Sequence, residues 1–166
     1  MLNKLEEVAD VVDNFAGVSG RMEQVCEAPN VIVDFAHTPD GMQQVLNALK
    51  EKELLVVFGA GGDRDKSKRS IMGRVAASLG KKVYITSDNP RNEDPDAIAQ
   101  DILDGIEDKS IVSVELNRKK AIQMALDDQE EDEVVVILGK GDESHQIIYD
   151  KKLPFDDREV VRELLN

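Results

Sequence analysis

Five short apolar runs punctuate the chain: Val31–Val33, Leu54–Phe58, Val83–Thr86, Ile111–Val114 and Val134–Leu138. None alternates strictly between apolar and polar positions, so each reads as a strand covered on both faces. The intervals between them carry helical spacing. Thr38 and Pro39 form a cap and first-turn pair for a helix reaching about Lys52. Ile71 to Leu79 continues a helix, Asp94 and Pro95 open another to Ile106, and Asn117 caps one to Leu126. Ahead of the first strand, Leu2, Leu5, Val8, Val11, Val12 and Phe15 predict an amphipathic helix over 3–15, broken by Gly17-Val18-Ser19-Gly20. The tail carries Ile147-Ile148-Tyr149, a turn, and a last helix to Leu165 that opens on Asp156 and Glu159 at capping-box spacing.

Strands of this kind, separated by helices, predict an α/β fold: a Rossmann-like, doubly wound, mostly parallel sheet with helices on both faces and right-handed crossovers. In such folds ligands bind beyond the carboxyl ends of the strands. The polar loops 34–40, 59–68, 87–94 and 139–145 all leave those ends, so they are expected along one edge of the sheet.

Composition narrows the function. At 166 residues the chain is long enough for one domain with a real core, and a formal net charge of −13 argues against general nucleic-acid or anionic-membrane binding. The single Cys26 excludes an intrachain disulfide framework and fits a reducing compartment. No apolar run reaches the roughly 20 residues of a membrane helix, and no basic-then-apolar leader opens the chain. A cytoplasmic protein is expected. Against the acidic background, Arg64, Lys66, Lys68, Arg69 and Arg74 fall within eleven residues, directly after Gly59-Ala60-Gly61-Gly62. Cations at a helix start oppose its dipole, so the cluster points to an anionic ligand.

That glycine loop is neither a dinucleotide fingerprint nor a P-loop. Arg64 stands where the third glycine of G-x-G-x-x-G belongs, and aligning Lys66-Ser67 on a P-loop leaves Asp65 and Ala60 at its glycine positions. A nicotinamide-dependent dehydrogenase is therefore disfavoured. In the first loop, Asp34 and His37 are placed to contact a metal, ribose or phosphate, or to act as a turn former and a surface residue. In the third, Asp88-Asn89-Pro90-Arg91 presents a guanidinium able to grip a carboxylate in two-pronged fashion, or to pair with Glu93 or Asp94. In the fourth, Gly139-Lys140-Gly141-Asp142-Glu143 sets carboxylates where an ammonium could be held. Guanidinium and carboxylate on neighbouring loops are what recognition of an amino acid requires.

Six segments taken in order carry a more specific signal: Gly20-Arg21-Met22-Glu23, Asp34-Phe35-Ala36-His37-Thr38-Pro39-Asp40, Gly61-Gly62-Asp63-Arg64-Asp65, Asp88-Asn89-Pro90-Arg91, Gly139-Lys140-Gly141 and Pro154-Phe155-Asp156-Asp157-Arg158-Glu159. Together they resemble the C-terminal domain of the Mur ligases, the ATP-dependent enzymes that add amino acids to the peptidoglycan precursor. The resemblance implies that residues 1–20 are the end of a central ATPase domain and 21–166 the C-terminal domain. It implies nucleotide contacts from Arg21, Asp34 and His37. It implies that Arg64, Asn89 and Arg91 hold the distal carboxylate of an incoming diamino acid, with Gly139 and Glu143 at its other end. Asp88-Asn89-Pro90-Arg91 resembles the motif of members that add meso-diaminopimelate to UDP-MurNAc-L-Ala-D-Glu. ATP and Mg²⁺ are implied as cofactors of the full enzyme, with the P-loop and metal sites in its central domain and the UDP-sugar on its N-terminal domain. No catalytic or metal-ligating residue is expected in this chain, which alone would be inactive. The other reading of the same loops is a stand-alone, non-catalytic α/β module that binds a small molecule.

Overall fold

A computed structural model describes residues 18–166. The helix expected over 3–15 lies outside the described residues. Among the described residues are eight strands: β1 (Glu23–Cys26), β2 (Val31–Asp34), β3 (Leu54–Phe58), β4 (Lys82–Ile85), β5 (Val112–Val114), β6 (Val134–Leu138), β7 (His145–Ile148) and β8 (Lys151–Pro154). Five α-helices accompany them: α1 (Pro39–Ala48), α2 (Ser67–Leu79), α3 (Pro95–Leu103), α4 (Arg118–Asp128) and α5 (Asp157–Leu164). Six strands form one sheet in the order β1-β2-β6-β3-β4-β5, parallel except for β1.

The chain steps from β2 through β3 and β4 to β5, then α4 carries it back to β6 in the middle. A reversal of direction with the same crossover hand puts the returning helix on the other face. Two cores result. Ile32, Val56 and Val136 pack with Met42, Met72 and Ile102 from α1, α2 and α3. Val33, Val57 and Val135 pack with Ile122 and Val161 from α4 and α5. Adjacent residues of one strand thus enter different cores, which is why β2, β3 and β6 are buried at every position and apolar at all of them but Asp34, the last residue of β2. The reversal also opens a crevice beyond the carboxyl ends of β3 and β6, where ligands of doubly wound sheets bind.

The caps act as their residue types dictate. Thr38, Asp94 and Asn117 accept from the N–H groups of Gly41, Asp96 and Lys120. Asp156 caps α5 by accepting from Arg158 N, and the Arg158 guanidinium grips the same carboxylate. Several boundaries differ from expectation. α1 ends at Ala48 and α3 at Leu103, short of Lys52 and Ile106. Beyond Leu49 the first has only Lys50, Glu51, Lys52 and Glu53 to offer the core, and the chain turns instead to enter β3. β1 and the exposed β8 are additional strands. α4 and α5 are locked together by Arg118 and Asp157, both buried, through Nε–Oδ1 and Nη2–Oδ2 bonds of 2.7 Å each. Arg118 Nη2 also donates to the carbonyl of Leu138 at the end of β6 (3.0 Å).

Candidate functional site

The loops after β2, β3, β4 and β6 converge on one cavity of about 390 Å³. Its wall includes His37, Arg64, Asn89, Arg91, Gly139 and Glu143, with Phe35, Lys68 and Asp88. Arg21 and Asp34 line a smaller recess of about 260 Å³, which shares Phe35, His37 and Thr38 with the larger cavity.

In the recess, the Arg21 guanidinium lies 4.5 Å from the centre of the Phe35 ring, and His37 meets the same ring edge-on. His37 is exposed and its Nδ1 is bonded to the Phe35 carbonyl (2.9 Å). Asp34 is buried, and both its oxygens are taken by backbone. Oδ1 accepts from Ala36 N (2.7 Å) and Oδ2 from Met22 N (2.8 Å). Its carboxylate therefore ties the residue after Arg21 to the strand-end turn, and what it presents to a ligand is the position of Arg21. The approach here is close. A Cβ on Gly20, at φ +68°, would lie 2.1 Å from Asp142 N in the fourth loop.

The cationic cluster divides into two sets. Arg69 is buried and donates to both oxygens of Glu93 (2.9 and 3.0 Å), to Asp101 (2.8 Å) and to the Gly61 carbonyl (3.0 Å). Lys66 also pairs with Glu93, at 3.0 Å. These cations are neutralised within the fold, contrary to the expectation that the whole cluster awaits an anion. The Arg69 and Lys66 contacts, with the bond from Asp63 N, hold the Glu93 carboxyl at a pKa of about 2. The start of α2 has its own acid, since Asp65 accepts from Ser67 N and Oγ. Arg64 and Arg91 behave differently. Neither has a carboxylate partner among the described residues. Arg91 Nη1 donates only to the carbonyls of Gly62 (2.9 Å) and Asn89 (3.4 Å), so the alternative pairing with Glu93 or Asp94 does not form. A Cβ on Gly61 would come 2.9 Å from Arg91 Nη1 and 3.4 Å from Arg64 Cγ, which places the two side chains around that glycine.

The same cavity wall also carries carboxylates. Glu143 Oε2 accepts from Asn89 Nδ2 (3.1 Å), and Asp88 lies beside it on the cavity wall. The β7–β8 hairpin braces this loop from behind. Arg91 N donates to the Ile147 carbonyl (3.1 Å), Tyr149 N to the Arg91 carbonyl (2.7 Å), and Gln146 Nε2 to the Asp88 carbonyl (2.7 Å). Gly62 N donates to the Asn89 carbonyl from the front (2.9 Å). Arg91 is held at φ +52°, a conformation unfavourable for a residue with a side chain, which these bonds over-determine. Sequence reasoning placed Lys68 in the cationic cluster, and the structure puts it on the cavity wall; it missed the hairpin and the buried Lys140. The last carried one signal, a lysine between two glycines directly after the most apolar strand. Among the described residues, no group of three or more His, Cys, Asp or Glu side chains is arranged to hold a metal, and no helix is long and apolar enough to cross a membrane.

Comparisons with known proteins agree with one another. The family model for the "Mur ligase, glutamate ligase domain" matches residues 20–141. The chain is 59% identical, over 95% of its length, to the UDP-N-acetylmuramoyl-L-alanyl-D-glutamate–2,6-diaminopimelate ligase of Helicobacter hepaticus, and covers 34% of that protein. Against the ligase of the same name from Helicobacter pylori the identity is 52% over 96% of this chain and 36% of the relative. The chain thus spans about a third of the length of the curated relatives it matches. A solved structure of a UDP-N-acetylmuramoyl-L-alanyl-D-glutamate–2,6-diaminopimelate ligase superimposes with a TM-score of 0.84 at 37% identity, covering 99% of this chain and 36% of that one. A Mycobacterium tuberculosis folylpolyglutamate synthase complexed with ADP and AMPPCP gives a TM-score of 0.59 at 25% identity, over 74% of this chain and 30% of the other.

Proposed function

Since the chain belongs to the Mur ligase, glutamate ligase domain family, we propose that it is the amino-acid-binding C-terminal domain of a MurE-type ligase. The full enzyme joins meso-diaminopimelate to UDP-MurNAc-L-Ala-D-Glu in peptidoglycan biosynthesis, in the cytoplasm. Residues 1–20 close the preceding ATPase domain and 21–166 form this one. The observation that carries the reading is the polarity of the cavity. Two guanidinium groups without carboxylate partners among the described residues, Arg64 and Arg91, line the same cavity as the Glu143 carboxylate, with the Asn89 amide bonded to Glu143 and the Asn89 carbonyl to Arg91. Meso-diaminopimelate bears a carboxylate and an ammonium on the α-carbon at each of its two ends. One such pair matches this wall, with the carboxylate on Arg64, Arg91 and the free N–H of Asn89, and the ammonium on Glu143 and the backbone at Gly139. L-Lysine lacks the distal carboxylate and leaves both guanidinium groups unpaired, a cost of the kind that makes polar sites reject ligands missing a partner.

The nucleotide role falls to the smaller recess. Arg21 and His37 offer a cation and an imidazole to phosphate or ribose oxygens, and Asp34 fixes Arg21 in place. About 260 Å³ is too small for a whole nucleotide, so the rest of the ATP and the Mg²⁺ lie against the central domain, and this chain alone does not turn over ATP. The test is calorimetric titration of the full-length ligase, with ADP present, using meso-diaminopimelate and L-lysine in parallel. At least tenfold tighter binding of the diacid is expected; equal binding, or preference for lysine, refutes the reading.

A further inference from the structure

Lys140 is fully buried behind residues of the cavity wall, and its ammonium donates two hydrogen bonds there. Nζ donates to Asn89 Oδ1 (3.1 Å) and to the His145 carbonyl (2.8 Å), and it lies 3.2 Å from Asp88 Oδ1 and 3.8 Å from Glu143 Oε2. Burying an ammonium is costly unless it is both paired and hydrogen-bonded. Here its partners are the anionic wall of the site. We propose that Lys140 is a positioning and specificity-determining residue of the amino-acid pocket, although it does not touch the substrate. The proposal rests on the reading of the cavity given above.

Two consequences of the geometry support it. The first concerns the Asn89 amide. Its oxygen is fixed by two donors, Lys140 Nζ and the backbone N–H of Ile147 (2.9 Å). Neither can accept a hydrogen bond, so the amide has one orientation only. Its NH₂ must then face Glu143 and the cavity. One hydrogen goes to Glu143 Oε2, and the other is free for a ligand carboxylate. Without Lys140 the amide loses one of its two orienting donors. The second consequence concerns charge. Asp88 and Glu143 bring two negative charges to this wall and Lys140 one positive charge, which leaves a net single negative charge to meet one substrate ammonium. A zwitterionic diacid with no net charge suits that value. Removing the lysine leaves a wall carrying two negative charges, which favours a ligand with excess positive charge, such as L-lysine.

The test uses the full-length ligase with Lys140→Met, and with Lys140→Gln, which fills similar space and keeps a donor for Asn89 Oδ1. Rates are measured with meso-diaminopimelate and with L-lysine. In both variants the ratio of kcat/KM for the diacid to that for lysine should fall at least tenfold, while the KM for ATP stays within about twofold. A merely structural lysine gives equal losses for the two amino acids, or a parallel rise in the KM for ATP, and either result overturns the proposal. Unchanged selectivity in the Gln variant does so as well, whether or not the Met variant folds. Failure of the underlying reading looks different, because the wild-type enzyme itself would then show no preference for the diacid.

Discussion

Replacing Arg91 with alanine in the full-length ligase isolates the cationic part of the pocket. In the free protein Arg91 makes no ion pair among the described residues and donates only to the Gly62 and Asn89 carbonyls. Removing it therefore forfeits little folding stability, about 1 kcal/mol for the partly buried bond to Gly62, or a few degrees in Tm. The backbone at φ +52° is equally strained with arginine or alanine. Glycine relieves that strain, so Arg91→Gly should be about 1 kcal/mol more stable than Arg91→Ala. Binding is affected far more. Truncating one member of a desolvated charge pair costs about 2–5 kcal/mol, which corresponds to a rise of roughly 30-fold to several thousandfold in the KM for meso-diaminopimelate. The KM for ATP should change by less than about threefold, since Arg91 lies on the wall of the larger cavity and not of the nucleotide recess. Steady-state kinetics with each substrate varied in turn reads both values. Equal increases for ATP and the diamino acid would refute the assignment of this part of the cavity, as would an unchanged KM for the diacid.

Other substitutions test the surroundings. Asp157→Asn leaves the buried Arg118 guanidinium without its charge partner and should cost about 3–5 kcal/mol, on the order of 10 °C in Tm. The double change Arg118→Met/Asp157→Leu should recover most of that in a thermal melt, because Arg118 Nη1 already lacks a partner and the pair is not fully satisfied. Gly62→Ala should destabilise by about 1–3 kcal/mol or more, because its Cβ would meet the Pro90 carbonyl at 1.9 Å and backbone cannot move aside. Gly61→Ala should melt close to wild type yet weaken the diamino acid in a titration, because the obstructed atom is the far end of the Arg91 side chain, which can shift out of its place in the cavity, and not backbone. Glu93 titrates near 2 when folded, against 4.5 as a free side chain. A depressed carboxyl pKa stabilises above the unfolded value, so this contribution is complete above about pH 4.5 and disappears as the pH falls from 4.5 to 2. Urea midpoints of Glu93→Gln should lie below wild type at pH 6, and the two proteins should converge toward pH 2.

What was legible in the sequence follows the physics of burial. Leu54–Phe58 and Val134–Leu138 were read to the residue because both faces are covered and every position is apolar. β1 escaped because Glu23–Cys26 pairs with β2 alone at the sheet edge and mixes charged with apolar residues. β8 escaped because all four of its residues are exposed, and backbone bonds to β7 hold it without any apolar pattern. In the site, residue types and loop positions were visible while partners were not. Arg69 and Arg64 look alike in the cationic run. Only the fold brings Glu93 and Asp101 to Arg69, from 24 and 32 positions away, and leaves Arg64 exposed. Asp34 shows the same limit, since the partner that commits its second oxygen lies twelve residues upstream, across the β1–β2 pairing.

That division of charges explains how an acidic protein keeps a cationic pocket open. Each arginine near the glycine loop faces a choice between internal carboxylates and a ligand. Arg69 takes its carboxylates inside the fold and occupies Glu93, the acid that would otherwise compete for Arg91. Arg91 is then held by carbonyls alone, its backbone clamped between Ile147 and Tyr149 on one side and its loop tied to Gly62 on the other. Carbonyl acceptors orient a guanidinium without neutralising it. A carboxylate entering the cavity therefore meets a charge already in position, and little side-chain freedom remains to be lost on binding. The cluster of buried Arg69 with Glu93 and Asp101 is in this sense part of the binding site, although neither carboxylate lines the cavity.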